Sequence, residues 1–357
     1  MKVMCRVIAV AMCISRIASG QVVYVDDTAT GADDGSSWTD AFISLQSALT
    51  AAEQPGGENI QQIWVAAGTY RPTQLAETGD ARSATFRPRS NLAVLGGFAG
   101  DESFVAEREI IRNPTYLDGL IPASTPYNVY HVVTSPNGSG TRLDGFIIQN
   151  GRADGTDTSL QEDRGGGFFK HPDLTRTIVA NCVFRNNHAL TQGGGAFAQY
   201  ASINGIHVTF VNCFFQDNTA GDERTDGNGG GLSAEVDSSH VINNCVFIGN
   251  EATGVGGGLH QTGTSTLLIG DCTFVENSAG RAGGGVHSAA SANVRNSILY
   301  YNSVGSSFSF GAQITPTSSS IEYCCVQNIP NETNGNINDA PEFANISGAN
   351  RTAGAPR

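Results

Sequence analysis

The chain has 357 residues, of which 39% are hydrophobic and 15% charged, and its formal net charge is −13. Such acidity argues against nucleic acid as a partner, since that needs basic surface, and against a broad anionic polysaccharide face. No stretch after residue 20 reaches the ~18 apolar residues of a membrane span.

Residues 1–20 read as a secretory signal peptide. Lys2 and Arg6 are basic, Val7–Ile14 is apolar, and Ala18-Ser19-Gly20 offers a small-residue cleavage site before Gln21. Arg16 interrupts the pattern, and a cytosolic N-terminal strand is the competing reading. Cleavage removes Lys2, Arg6 and Arg16, lowers 20 basic residues to 17 against 33 acidic ones, and leaves Lys170 as the one lysine. The charge then reads first as a solvated surface that keeps an exported protein soluble.

Residues 21–58 form an N-terminal strand and a capping helix. Val22–Val25 opens as a strand, and Asp26-Asp27 and Gly31–Ser37 make a polar loop. From Asp40 to Ala52 the spacing turns helical, with Phe42, Leu45, Ala48, Leu49 and Ala52 on one side and Asp40 as the N-cap. A lone short helix before a stack of strands is expected to cover its open apolar end.

Residues 59–142 hold irregular first coils. Ile63–Val65, Leu92–Leu95 and Val129–Val133 are strand-like, and 72–91 and 97–127 are long connections. Residues 143–328 are regular repeats. Cys-x-Phe-x-x-Asn occurs four times: Cys182/Phe184/Asn187, Cys213/Phe215/Asn218, Cys245/Phe247/Asn250 and Cys272/Phe274/Asn277. Ser297/Leu299/Asn302 is a weaker copy, and Gly145/Ile147/Asn150 reads as a degraded upstream one. Glycine runs ending in a small or apolar residue alternate with them: Gly165–Phe168, Gly193–Ala196, Gly229–Leu232, Gly256–Leu259 and Gly283–Val286.

Successive Asn residues lie 37, 31, 32, 27 and 25 apart, which marks a solenoid or a propeller. Cys and Phe two apart share one face of a strand, not of a helix, and a propeller blade needs more residues. The expected fold is all-β: a single-stranded parallel β-helix of three strands per coil and about 10 coils, roughly 45–50 Å long at ~4.8 Å per coil. The Cys residues should form one inward column, the Phe residues a stacked second, and the Asn residues a column at a bend.

The glycine run paired with Phe-x-x-Asn resembles the repeat of the chlamydial polymorphic outer-membrane proteins. It is also similar to secreted bacterial proteins with pectin-lyase-like β-helices. That resemblance implies a right-handed helix, a secreted or cell-surface location and outer-membrane association. The order Tyr-Val-Asp, Gly-x-Ser-Trp, Leu-Gln-x-Ala-Leu, then Ile63–Tyr70, is similar to the entry of the same proteins, where the helix caps the N-terminal end. Those proteins often follow a segment like Ala340-Pro341-Glu342-Phe343 with a longer closing section. Ile321–Gln327 reads as a last coil with Cys325 at the Phe position, and 329–357 as an irregular tail that is truncated or covered by another chain.

Several residues are candidates for chemistry. Export favours cysteine oxidation, and one coil step lies within the Cα range of a disulfide. Free buried thiols acting as small hydrophobes are the alternative. Zinc lacks its ligand spacing. His260 and His287 follow the apolar ends of two glycine runs, with Ser233 in the same place one coil earlier and Glu235 two residues on. They make either a surface site for acid/base work on a glycan or a surface ladder of polar residues. The loops at 151–164 and 221–227 are acidic, and Asp154, Asp157 and Asp163 form a candidate calcium loop. No other cofactor is expected.

The function expected is a non-catalytic structural, adhesive or glycan-binding rod whose partners are extracellular glycans or another surface protein. The alternative is a polysaccharide lyase or glycoside hydrolase working on the coil face. An autotransporter passenger is a third option.

Overall fold

A computed structural model describes residues 20–121, 128–135, 140–170, 176–199, 208–235, 241–263 and 267–341. Residues 1–19 of the expected signal peptide, and the tail from 342 on, lie outside the described residues.

The chain winds into a parallel β-solenoid. One turn runs through Thr177–Ala180, Val183–Arg185, His188–Ala189 and Ala196–Gln199. The next turn starts at Val208–Val211, paired in parallel beside Thr177–Ala180. Repetition builds four sheets of 10, 9, 6 and 7 strands. In chain order around the turn they are the long wall, the phenylalanine wall, the short wall and the histidine wall. The expected three strands per coil are joined by a fourth, the two-residue segment His188–Ala189 and its equivalents. Two residues are too few to show an alternation in sequence.

The inward side chains stack as like upon like. Phe184, Phe215, Phe247 and Phe274 are paired in register. Their ring centres lie 4.8, 4.6 and 4.5 Å apart, with planes within 8° of parallel. Tyr70, Leu117 and Ile148 continue the column before them, and Leu299 and Val326 after. Offset stacking adds roughly 0.5–1.5 kcal/mol per aromatic pair beyond burial.

The corners explain the polar residues of the repeat. Asn181, Asn212, Asn244, Asp271 and Asn296 are left-handed, with φ of 50–55°. Asn and Asp tolerate that region better than other side chains. The next residue is the Cys position, and all six described cysteines are buried and free. Each thiol is a hydrogen-bonding group. Cys213 Sγ donates to the carbonyls of Val179 and Val211 at 3.4 Å each. The Cys213 N–H reaches Cys245 Sγ, and the Cys245 N–H reaches Cys272 Sγ, both at 3.4 Å. At Ser297 the hydroxyl takes over, accepting from Cys272 N–H at 3.1 Å.

The glycine runs have two causes. Gly193, Gly229 and Gly256 have φ near 68–69°. Gly194, by contrast, is excluded from growing: a Cβ there would stand 2.2 Å from the Thr219 carbonyl oxygen of the next turn. Turns this close leave no room for a side chain.

Four expectations need correction. The helix is Leu45–Glu53, and its N-cap is Ser44, whose hydroxyl accepts from Gln46 N–H. Asp40 instead binds Ala32 N–H and Ser37 within the preceding loop. The upstream copy is displaced by one residue: Ile148, not Ile147, faces Phe184. Gly151, not Asn150, gives its N–H to the Asn187 side chain. In the last turn Val326 occupies the Phe column and Cys324 the Cys column, whereas Cys325 pairs with Ile298. Finally, part of the supposed tail is ordered against the solenoid. Ile337 bridges Cys325 in parallel, and the buried Asn336 side chain accepts Cys324 N–H at 3.0 Å.

The helix covers the N-terminal end. Leu45, Ala48, Leu49 and Ala52 of the helix join the interior beside Val23 and Val25, and Phe42 pairs with the free edge of Gln21–Val25.

Candidate functional site

Only outward residues can carry function in such a rod, and one wall carries an unusual set. On the histidine wall Phe169, Phe197, Ser233, His260, His287 and Thr315 are register neighbours on six successive turns. They alternate with Phe168, Ala196, Leu232, Leu259 and Val286, which pack inside. The expected juxtaposition of Ser233, His260 and His287 is present. Their burial differs from expectation: Ser233 is 0% and His260 4% exposed, so this is no surface ladder.

The polar contacts are specific. His260 Nδ1 lies 3.1 Å from Ser233 Oγ, and the Ser233 hydroxyl donates to Gln192 Oε1 at 3.5 Å. The two imidazole centres are 5.5 Å apart. Burial, and then the neighbouring His287, pushes the His260 pKa down to about 3. Burial lowers that of His287 also. Both rings are therefore neutral near pH 7. Glu235 does not sit beside them. It pairs in register with Thr262, and its carboxylate lies 3.7 Å from Arg164. The Arg164 guanidinium also lies over the Phe197 ring at 5.3 Å. The acid/base trio of one carboxylate and two histidines is thus not assembled.

Up the same wall the aromatic column leads into a cleft. Phe197 stacks on Phe169 at 5.7 Å, and Phe169 on His131 at 4.9 Å. Beyond His131 a cleft of about 330 Å³ opens, lined by Tyr130, His131 and Phe169 together with Glu77, Arg87 and Glu162. Its sides are the connection 72–91 and the acidic loop 151–164. They are clamped by Arg82, which donates to the Asn128 and Arg152 carbonyls at 2.9 and 2.8 Å, bonds Asp154, and covers the Tyr130 ring at 4.2 Å. Burial, and then the charges of Asp80 and Asp157, raise the Glu162 carboxyl above its usual range.

The candidate calcium loop is taken apart by these contacts. Asp154 is held by Arg82 and Arg152. Asp157 accepts from the Ser159 N–H at 2.9 Å and from its hydroxyl. Asp163 accepts from the Thr191 hydroxyl at 2.7 Å. Among the described residues no group of three or more His, Cys, Asp and Glu is placed to hold a metal.

The cleft was not legible beforehand because its lining comes from four separate segments. The usable signal was loop length. A second aromatic group, Trp38, Trp64, Phe98 and Tyr24, lies on the outside of the long wall. Trp64 and Phe98 there are buried, so it is a satellite core rather than a sugar platform.

Comparison of the chain with family models, with curated proteins and with solved structures finds no match in any of the three. What the coordinates define is the class: a parallel β-solenoid of stacked sheets with a loop-walled cleft on one face. No helix among the described residues is long and apolar enough to cross a membrane.

Proposed function

We propose that the protein is an exported, non-catalytic rod at the cell surface that binds glycans in the cleft beside the histidine wall. The observation that carries this reading is the lining, in which aromatic groups (Tyr130, His131, Phe169) meet carboxylates and a guanidinium (Glu77, Glu162, Arg87) in one cavity. Sugars present apolar C–H faces and hydroxyls together, and pockets of mixed lining suit them. The reading of export rests on the basic, apolar and small-residue pattern of residues 1–20. The test is a glycan array on the chain from Gln21 on, followed by calorimetry. A binder should be found, and Tyr130→Ala should weaken it at least tenfold while the circular dichroism stays unchanged. Binding indifferent to Tyr130→Ala would remove the cleft from the argument.

One observation favours a second reading, a glycoside hydrolase. Glu162 shares the cleft with Glu77, and burial shifts its carboxyl toward the protonated form, the direction that suits a general acid. Released reducing sugar from an array-identified glycan, lost in Glu162→Gln with binding retained, would establish it over the non-catalytic reading.

A further inference from the structure

The geometry points to a transition-metal site made by Nε2 of His260 and Nε2 of His287 on the outer face of the histidine wall. It is separate from the cleft, and it stands whether or not glycans bind there.

Three observations carry it. The first is spacing. The residues are in register on adjacent parallel strands, and their ring centres are 5.5 Å apart. A divalent ion ~2.1 Å from one nitrogen of each ring lies about 3.2 Å from each ring centre, so a tetrahedral angle sets the centres about 5.3 Å apart.

The second is direction. Nδ1 of His260 is taken by Ser233, and Nδ1 of His287 is buried. Among the described residues neither Nε2 has a protein partner, and neither is among the fully enclosed unpartnered atoms. The half-buried His287 and the small exposed part of His260 share one side of the wall.

The third is support. Ser233 Oγ lies 3.1 Å from His260 Nδ1 and holds that side of the ring. A metal on Nε2 takes the tautomer in which Nδ1–H donates to the hydroxyl oxygen. Orientation of a ligating imidazole through its other nitrogen is the usual outer support of metal histidines. Ser233 is a positioning residue in this arrangement. Two imidazoles leave two positions for water, which fits zinc, copper or nickel rather than calcium.

The experiment titrates the untagged chain with Zn²⁺ at neutral pH by calorimetry, and with Cu²⁺ followed by electron paramagnetic resonance. We expect one ion per chain and a copper signal split by two imidazole nitrogens. His287→Gln should abolish both, and His188→Gln, on another wall, should leave both intact. Ser233→Ala should weaken binding about tenfold, the range usual for loss of outer support. Because His260 is buried and its replacement risks the fold, His287→Gln is the deciding variant. No saturable binding by the parent chain, or equal binding by His287→Gln, overturns the proposal.

Discussion

The side chain of Asn218 donates to Oδ1 of Asn250 at 2.9 Å and to the Phe184 carbonyl at 2.9 Å, while its own Oδ1 accepts from both the N–H and Nδ2 of Asn187. Every hydrogen-bonding valence of a fully buried amide is thus used, and the pattern repeats through Asn277 and Asn302 to Gln313. Removing one member strands groups on two turns. Asn218→Ala should cost at least about 3 kcal/mol, since each buried unpaired group costs roughly 1–3 kcal/mol. Urea unfolding measures it, and hydrogen exchange of the Asn187 N–H should rise first. A loss below 1 kcal/mol would show that the column is ornamental.

The phenylalanine column predicts a graded response. Phe215→Ala opens a cavity between two stacked rings and should cost ~3–5 kcal/mol. Phe215→Leu should cost clearly less, because Ile148 and Leu299 already occupy the column. Equal losses for the two variants would mean that ring stacking, not volume, dominates.

The cysteine column predicts an asymmetry between two small substitutions. Cys245→Ser keeps an acceptor for the Cys213 N–H, as Ser297 does for Cys272, and should cost under ~1.5 kcal/mol. Cys245→Val is as apolar as a thiol but strands that N–H, so it should cost more, by roughly 1–3 kcal/mol. Thermal unfolding of the two side by side decides it.

Thiol chemistry gives a companion test. Burial raises Cys182 to about 12, and Cys245 and Cys272 are also raised, chiefly by burial. The reactive species is the thiolate. The folded chain from Gln21 on should therefore give no fast reaction with a thiol reagent at pH 8, and the column should react only after denaturation. Rapid labelling of the native protein would contradict the burial.

His260 links stability to pH. Its pKa is about 3 folded, against ~6.5 for a free histidine. The unfolded chain therefore binds the extra proton first. The contribution is complete above pH ~6.5 and is lost as pH falls toward 3, to an extent of a few kcal/mol. The melting temperature should drop between pH 7 and 4 more steeply in the parent than in His260→Gln. Parallel slopes would show that the ring titrates freely.

The stack was legible in the sequence because it is made by identical residues at one repeating position, and Phe184, Phe215, Phe247 and Phe274 announce a shared face. Where the column changes residue, the pattern is lost. The copy Gly145/Ile147/Asn150 lies one place off the column, because Gly145 does the corner work of Asn181 and Phe146 fills the Cys position. The doublet Cys324-Cys325 offered two registers, and only the bonds to Ser297 and Asn336 choose between them. Burial of the histidine wall was invisible for another reason. Alternation tells which side of a strand a residue faces, but not how closely neighbours such as Gln192 and Ser233 crowd His260 on that side. The acidic loop illustrates the same point: Asp154 finds Arg82, 72 positions away, and spacing along the chain cannot reveal that.

The glue between turns is interchangeable from one level to the next. Each asparagine hands the same two hydrogens forward and receives the same two behind, whatever the length of the loop that follows. A duplicated gene segment spanning one whole repeat would therefore slot between its parents and lengthen the tower by a storey, with no new joint to evolve. The spacings of 31, 32, 27 and 25 residues between Asn187, Asn218, Asn250, Asn277 and Asn302 differ in the loops, while the amide column keeps one geometry.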